Sequence, residues 1–158
     1  MSHRLLVPIT IFFLLSGAIL SAQNYTTTGL SSDWNDANAW ICSGGGCNNK
    51  PFPNRSVSNS TITINHTIFY NDPISLNNKA KLIIGNNAKL TTISNLNISS
   101  GSSLTVNQGQ IEIGPGVLNN SGTITLTNAF FFKNGNIIND GSIILSSQMR
   151  PITILFIP

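Results

Sequence analysis

The sequence predicts an all-β fold, a right-handed parallel β-helix (β-solenoid), on the strength of alternation, corner residues and internal repetition. From residue 60 onward, short stretches such as Ile62-Thr63-Ile64 and Leu104-Thr105-Val106 alternate apolar and polar residues. This alternation places the apolar side chains on one face of a strand. The stretches are separated by clusters such as Gly-Asn-Asn and Asn-Asp-Gly, whose residues tolerate the positive φ angles of tight corners. Because these clusters interrupt every window of about a dozen residues, helices are not expected.

Internal repetition favours stacked coils. Leu82–Leu90 aligns with Leu96–Leu104, and Leu118 continues the series at the same spacing. Each unit resembles a strand, a tight corner and a strand, and three short strands with their corners give a coil of about 20 residues, the size of a solenoid turn. A β-sandwich is the alternative, since its strands recur every roughly 8 to about 12 residues. In the solenoid, inward Ile, Leu and Val are expected to stack in columns, and Asn side chains can form ladders at the corners.

The chain divides into four segments. We predict a signal peptide over residues 1–22, an irregular tryptophan-containing cap with a local disulfide over 23–59, solenoid repeats over 60–149, and an atypical or truncated tail over 150–158. The last segment ends in an apolar run, so we expect either an atypical last strand or a fragment of a longer repetitive protein.

The first segment has the layout of a secretory signal. Met1–Arg4 is a short basic start, Leu5–Leu15 is almost entirely apolar, and small residues lead to Ala22. An uncleaved anchor helix is the alternative, but the apolar run is short for a membrane span, and no later stretch reaches the roughly 18 apolar residues that a span needs. We therefore expect a protein that is secreted or on the cell surface, with no membrane span in the mature chain.

The two cysteines are expected to pair. Export places Cys42 and Cys47 in an oxidising compartment, and the three glycines between them allow the chain to fold back. A zinc site is the alternative, but two thiols without a nearby His or further Cys do not complete a tetrahedral shell.

Charged residues are scarce. Only 8% of the residues are Asp, Glu, Lys or Arg, against about 25% in an average protein. A solenoid explains the scarcity, because like charges at equivalent positions of successive coils would repel. The basic residues are isolated, so the sequence gives no support for nucleic-acid binding.

The cap and coils together resemble a known class of proteins. The signal is followed by Ser32-Asp33-Trp34-Asn35-Asp36-Ala37-Asn38-Ala39-Trp40, a Cys- and Gly-rich turn, and coils of the pattern Leu-x-Ile-x-x-x-Ala-x-Leu. This arrangement resembles the start of large secreted surface proteins of Bacteroidota-type bacteria, which are similar to parallel β-helix adhesins and often end in a sorting domain for type IX secretion. The resemblance implies an adhesive role at a cell surface. The present sequence contains no such sorting domain.

No catalytic, metal or cofactor site is expected. Glycoside hydrolysis needs two carboxyl groups held close together, whereas the five acids are scattered: Asp33, Asp36, Asp72, Glu112 and Asp140. Asp33 and Asp36 are the only pair close in sequence, and they are also the only candidates for a calcium site. His66, the one histidine after the signal, has no acid near it in sequence and is expected at a corner or facing solvent.

Aromatic side chains are the candidates for ligand contact. Trp34 and Trp40, with Phe69 and Tyr70, could stack on sugar rings, and their alternative role is in the core or the cap. Threonine runs such as Thr123–Thr127 resemble the outward rows of ice-binding solenoids, although other residues interrupt them. We therefore predict a non-enzymatic structural or adhesive module with glycans or an extracellular matrix as partners, and a carbohydrate-active β-helix domain or fragment as the alternative.

Overall fold

The computed structural model describes residues 22–45, 47 and 51–146, and the backbone alone for 153–157. The predicted signal peptide, apart from Ala22, lies outside the described residues. Within them the chain forms 17 strands and one turn of 3-10 helix at Ala37–Ala39. The strands are β1 (Asn24–Thr27), β2 (Trp40–Ser43), β3 (Ser56–Ser58), β4 (Thr61–Ile64), β5 (Thr67–Tyr70), β6 (Ile74–Asn77), β7 (Lys81–Ile84), β8 (Lys89–Thr92), β9 (Leu96–Ile98), β10 (Ser103–Asn107), β11 (Gln110–Ile113), β12 (Leu118–Asn120), β13 (Thr123–Thr127), β14 (Phe130–Asn134), β15 (Ile137–Asn139), β16 (Ser142–Ser146) and β17 (Thr153–Ile157).

The strands build three parallel sheets. The first sheet has the order β16-β13-β10-β7-β4-β1-β2, the second β17-β14-β11-β8-β5, and the third β15-β12-β9-β6-β3. Each strand pairs in parallel with the third strand before or after it in the chain, except that β2 is antiparallel to β1. The result is a β-solenoid of about five turns. The predicted solenoid is confirmed, and a sandwich is excluded because, from β3 onward, successive strands lie in different sheets and do not pair.

The coil length explains the repeat in the sequence. Leu82 pairs with Leu104 and Leu96 pairs with Leu118, and the stacked side chains of Asn97 and Asn119 show the same sequence separation of 22. The shorter spacing noted in the sequence instead relates Leu82 in the first sheet to Leu96 in the third. That spacing therefore corresponds to two of the three strand-and-corner units in a coil.

Inward side chains form continuous columns. In the first sheet, one column runs through five buried residues: Tyr25, Ile62, Leu82, Leu104 and Ile124. The polar residues between them face outward, as the period of two requires. Corners stack as closely as strands, so that a Cβ on Gly122 would lie 2.4 Å from the Ser102 carbonyl oxygen. Only glycine fits at that corner.

The solenoid begins earlier than the predicted boundary. β1 pairs with β4 and β3 pairs with β6, both in parallel, so the first coil starts at Asn24, inside the segment predicted to be an irregular cap. The cap itself is the insertion between β1 and β3, whose described residues are 28–45, 47 and 51–55 and include β2 and the 3-10 turn. At the other end, β17 pairs with β14, which makes part of the predicted atypical tail the second-sheet strand of the last coil.

Side-chain ladders cross the outer face of the third sheet. Asn119 Nδ2 donates to Asn97 Oδ1 at 2.8 Å, and Asn97 Nδ2 donates to Ser75 Oγ at 3.2 Å. In a second row, Ser99 Oγ donates to Asn77 Oδ1 at 2.7 Å. Asparagine ladders are thus present, but they join strands of the third sheet rather than the predicted corners, and they link three successive coils.

Candidate binding surfaces and cleft

The two tryptophans predicted as ligand contacts are buried in the cap. Trp34 is 0% exposed and Trp40 is 5% exposed. Their rings contact each other edge to face, with 5.1 Å between centroids, and Trp34 stacks on Tyr70 at 4.8 Å. The indole of Trp34 donates to the Pro53 carbonyl, and that of Trp40 to the Trp34 carbonyl, both at 2.8 Å. Neither ring offers a free face, so the predicted stacking of these residues on sugars is wrong, and they serve as the core of the cap.

A cleft of about 480 Å³ lies where the cap meets the first coil. Its walls come from residues 52–56, from Asn35 in the cap and from Tyr70 at the end of β5. Phe52 lines the cleft and also packs against the hydrophobic core. Pockets for small ligands typically measure about 300 to 1,000 Å³, so a ligand the size of one or two sugar rings fits this volume.

The arginine that lines the cleft is paired with a carboxylate beside it. Arg55 Nη2 lies 3.0 Å from Asp72 Oδ2. Burial raises the pKa of the Tyr70 hydroxyl, and the nearby Asp72 carboxylate raises it further. At neutral pH, Tyr70 is therefore an uncharged phenol in the lining of a cleft whose one described cation is paired with a carboxylate.

Three of the other acids, Asp33, Asp36 and Glu112, have structural contacts. Asp33 Oδ1 accepts from the backbone N–H of Asn35 at 2.9 Å, and Asp36 Oδ1 accepts from that of Asn38 at 2.9 Å. The hydrogen bond from the Asn38 backbone lowers the pKa of Asp36, because it stabilises the charged form. Glu112 Oε2 lies 2.8 Å from Lys89 Nζ in the second sheet. In the described part of the chain, no group of three or more His, Cys, Asp or Glu residues could hold a metal ion.

His66 lies at the corner between β4 and β5 and is exposed, as expected. Its Nδ1 is 3.2 Å from Thr27 Oγ1, and that oxygen also accepts from the Asn65 backbone N–H at 2.9 Å. The imidazole thus links the corner between β4 and β5 to Thr27 in the preceding coil.

The outer face of the first sheet carries the threonine row that the sequence suggested, with interruptions. Successive coils place a hydroxyl or an isoleucine at one position: Thr26, Thr63, Ile83, Thr105, Thr125 and Ile144. The neighbouring column includes Lys81. The face is flat and mostly uncharged, but its hydroxyls are not continuous.

No protein-family model, curated protein or solved structure matches the chain. Function therefore has to be argued from the chain's own residues. Two further findings bear on it: Cys42 and Cys47 form the predicted disulfide, with 5.8 Å between their Cα atoms, and no helix among the described residues is long and apolar enough to cross a membrane.

One ionisable residue of the solenoid interior was not anticipated. Lys133 is fully buried, and its ammonium donates to the carbonyl oxygens of Gly114 at 2.8 Å, Gly116 at 2.5 Å and Asn134. Burial lowers the pKa of this group. The three carbonyls match the three ammonium protons, so Lys133 fixes the corner between the second and third sheets.

Sequence reasoning also missed most of the cleft. It considered Tyr70 but not Phe52, Asn54 or Arg55, which lie in a Pro-Phe-Pro-Asn-Arg run. That run has no strand alternation and two prolines, which are signals of an ordered loop. An aromatic beside an arginine in such a loop was the available clue.

Proposed function

We propose that this chain is a non-enzymatic extracellular structural or adhesive module that contacts glycans or other components of a cell surface or matrix. The observation that carries the proposal is the use of the acids: Asp33 and Asp36 cap turns, and Asp72 and Glu112 are in ion pairs. Carboxylates used in this way are poor general acids or nucleophiles, which need a pKa matched to the reaction and an approach to substrate.

The outer faces suit contact with a polymer. Rows of Thr, Ser and Asn, interrupted at some coils, run along the first and third sheets, and their hydroxyl and amide groups can donate and accept hydrogen bonds, as sugar hydroxyls do. A rod of parallel coils presents such rows at a regular spacing of about 4.8 Å. These repeated weak contacts would add up along an extended partner.

Three observations support a location outside the cell. The segment 1–22 has the layout of an export signal, the Cys42–Cys47 disulfide is compatible with an oxidising compartment, and the cap and coils resemble Bacteroidota-type surface adhesins. A type IX route and an adhesin role are part of the same proposal.

The test is binding and turnover of glycans by the chain from Gln23 onward, purified with its disulfide intact. We expect binding to some polysaccharides or matrix preparations on an array, with no change in their chain length after prolonged incubation. Cleavage of a bound glycan that is lost in Asp33→Asn, Asp36→Asn or Asp72→Asn would contradict the proposal and favour the alternative, a carbohydrate-active β-helix domain. Ser142→Ala, on the far coil, is the matched control.

A further inference from the structure

Contacts of a buried tryptophan join the walls of the cleft between the cap and the first coil. Trp34 lies behind it and ties its walls together, since its indole donates to the Pro53 carbonyl and its ring stacks on Tyr70. Pro53 and Tyr70 both line the cleft. A pocket whose walls are fixed before binding loses little conformational entropy when a ligand enters.

The lining combines one half-buried aromatic ring with planar hydrogen-bonding groups. Phe52 supplies the ring, Asn35 and Asn54 supply amides, and Arg55 supplies a guanidinium. An aromatic face packs on the C–H face of a sugar ring, while amide and guanidinium groups can bind two neighbouring hydroxyls at once. On the outer face of the third sheet, in contrast, the asparagine amides hydrogen-bond to one another in ladders.

Charge then selects among sugars. Arg55 is the one cation lining the cleft in the described residues, and Asp72 lies 3.0 Å from it. An acidic sugar would have to compete with Asp72 for the guanidinium and would be repelled by the carboxylate. An uncharged sugar can instead accept hydrogen bonds from the guanidinium while Asp72 keeps that group in place.

We propose that this cleft is a binding subsite for an uncharged pyranose unit of a glycan, with the ring on Phe52 and the hydroxyls on Asn54 and on Arg55, whose guanidinium is held by Asp72. This inference rests on the proposed function and gives it a location. It assigns the specific contact to the cleft, and leaves the outer faces to weaker contacts along the polymer.

The experiment measures binding of neutral hexasaccharides (cello-, manno- and chitohexaose) and of an oligogalacturonate to the same purified chain. We expect at least one neutral hexasaccharide to bind and the oligogalacturonate to bind more weakly. Phe52→Ala and Asn54→Ala should each weaken the neutral ligand by roughly tenfold, the usual effect of losing one stacking or hydrogen-bonding partner. The matched controls are Phe130→Ala, an exposed aromatic three coils away, and Glu112→Gln, which breaks the other ion pair.

Asp72→Asn sharpens the test. It leaves Arg55 uncompensated, so oligogalacturonate binding should increase severalfold while binding of the neutral ligand changes less. Unfolding by urea is followed for every variant, so that a lost fold is not mistaken for lost contact. If the wild-type chain prefers the oligogalacturonate, the assignment to uncharged sugars is overturned.

The outcomes separate the two proposals. If a hexasaccharide binds and all cleft variants bind it like the wild type, the subsite is overturned while the glycan-binding function stands. If neither the hexasaccharides nor any array glycan or matrix preparation binds the wild type, the adhesive function fails as well. If only matrix proteins bind, the subsite is overturned and the structural role remains.

Discussion

The two ends of the solenoid differ although they are built from the same repeat. At the N-terminal end, the cap covers the first coil, and Trp34, Trp40 and Tyr25 are buried against it. At the C-terminal end, Ile143 and Leu145 occupy the same inward columns as buried residues of earlier coils but are 41% and 52% exposed. The repeat by itself therefore buries only the side chains that have a coil on both sides.

The comparison shows what a cap contributes. Each coil is stabilised chiefly by its neighbours, as in other repeat proteins, so an end coil loses about half of its packing unless something replaces the missing neighbour. Here the N-terminal insertion supplies that neighbour with aromatic rings. The stability of the rod should consequently be unequal at its two ends.

The largest expected effect comes from removing the centre of the cap. Trp34→Ala should lower the free energy of unfolding by about 3 to 5 kcal/mol, because a fully buried indole and its hydrogen bond to Pro53 are lost. Urea denaturation followed by circular dichroism measures the change. Phe130→Ala, an exposed aromatic, should cost well under half as much, and equal losses in the two variants would contradict the role given to the cap.

The next largest effect is expected within one inward column of the first sheet, where a residue near the N-terminal end is compared with one in the last coil. Ile62→Ala, in the second coil, should cost about 2 to 5 kcal/mol, whereas Ile143→Ala, at the same position of the last coil, should cost about 1 kcal/mol or less because the side chain is already partly in water. Both variants are compared with wild type in urea. A larger loss for Ile143→Ala would show that something covers the C-terminal coil.

Reducing the disulfide should have a smaller effect. Cys42 and Cys47 are five positions apart, and closing so short a loop stabilises a protein by about 2 kcal/mol or less. Thermal unfolding with and without a reducing agent measures it, with Cys42→Ser/Cys47→Ser as the variant that should not respond to the agent. Complete loss of the solenoid on reduction would mean that the cap depends on this bond.

The last prediction concerns the pH dependence of stability that the buried Lys133 causes. The folded pKa of Lys133 is below its unfolded value of about 10.4, so between the two values the unfolded chain binds more protons and stability rises with pH. In Lys133→Met, the free energy of unfolding should not change with pH over that window. Urea titrations at successive pH values measure it. Readings are kept below pH 10, because the raised pKa values of Tyr25 and Tyr70 make stability fall above it. A slope that persists in Lys133→Met would contradict this origin.

The sequence predicted what depends on local periodicity. Alternation identified strands such as β4 and β10, and Asn and Gly clusters identified corners, because both signals come from the backbone itself. Which residues pair between successive coils was harder to predict, since pairing of Leu82 with Leu104 is a long-range property while the likeness of Leu82 to Leu96 is a local one. Burial of Trp34 and convergence of Phe52 and Arg55 on one cleft depend on how an irregular insertion folds over a coil. The periodic pattern of the sequence does not predict how that insertion folds.

The scarcity of charge has a consequence for where such a rod can work. The described residues contain two ion pairs, both at least partly exposed, and the coils are joined instead by backbone ladders and by uncharged rows such as Ser75, Asn97 and Asn119. Dissolved ions screen contacts between charges but leave contacts between neutral groups almost unchanged. The fold of this protein should therefore stay the same from low to high salt concentration.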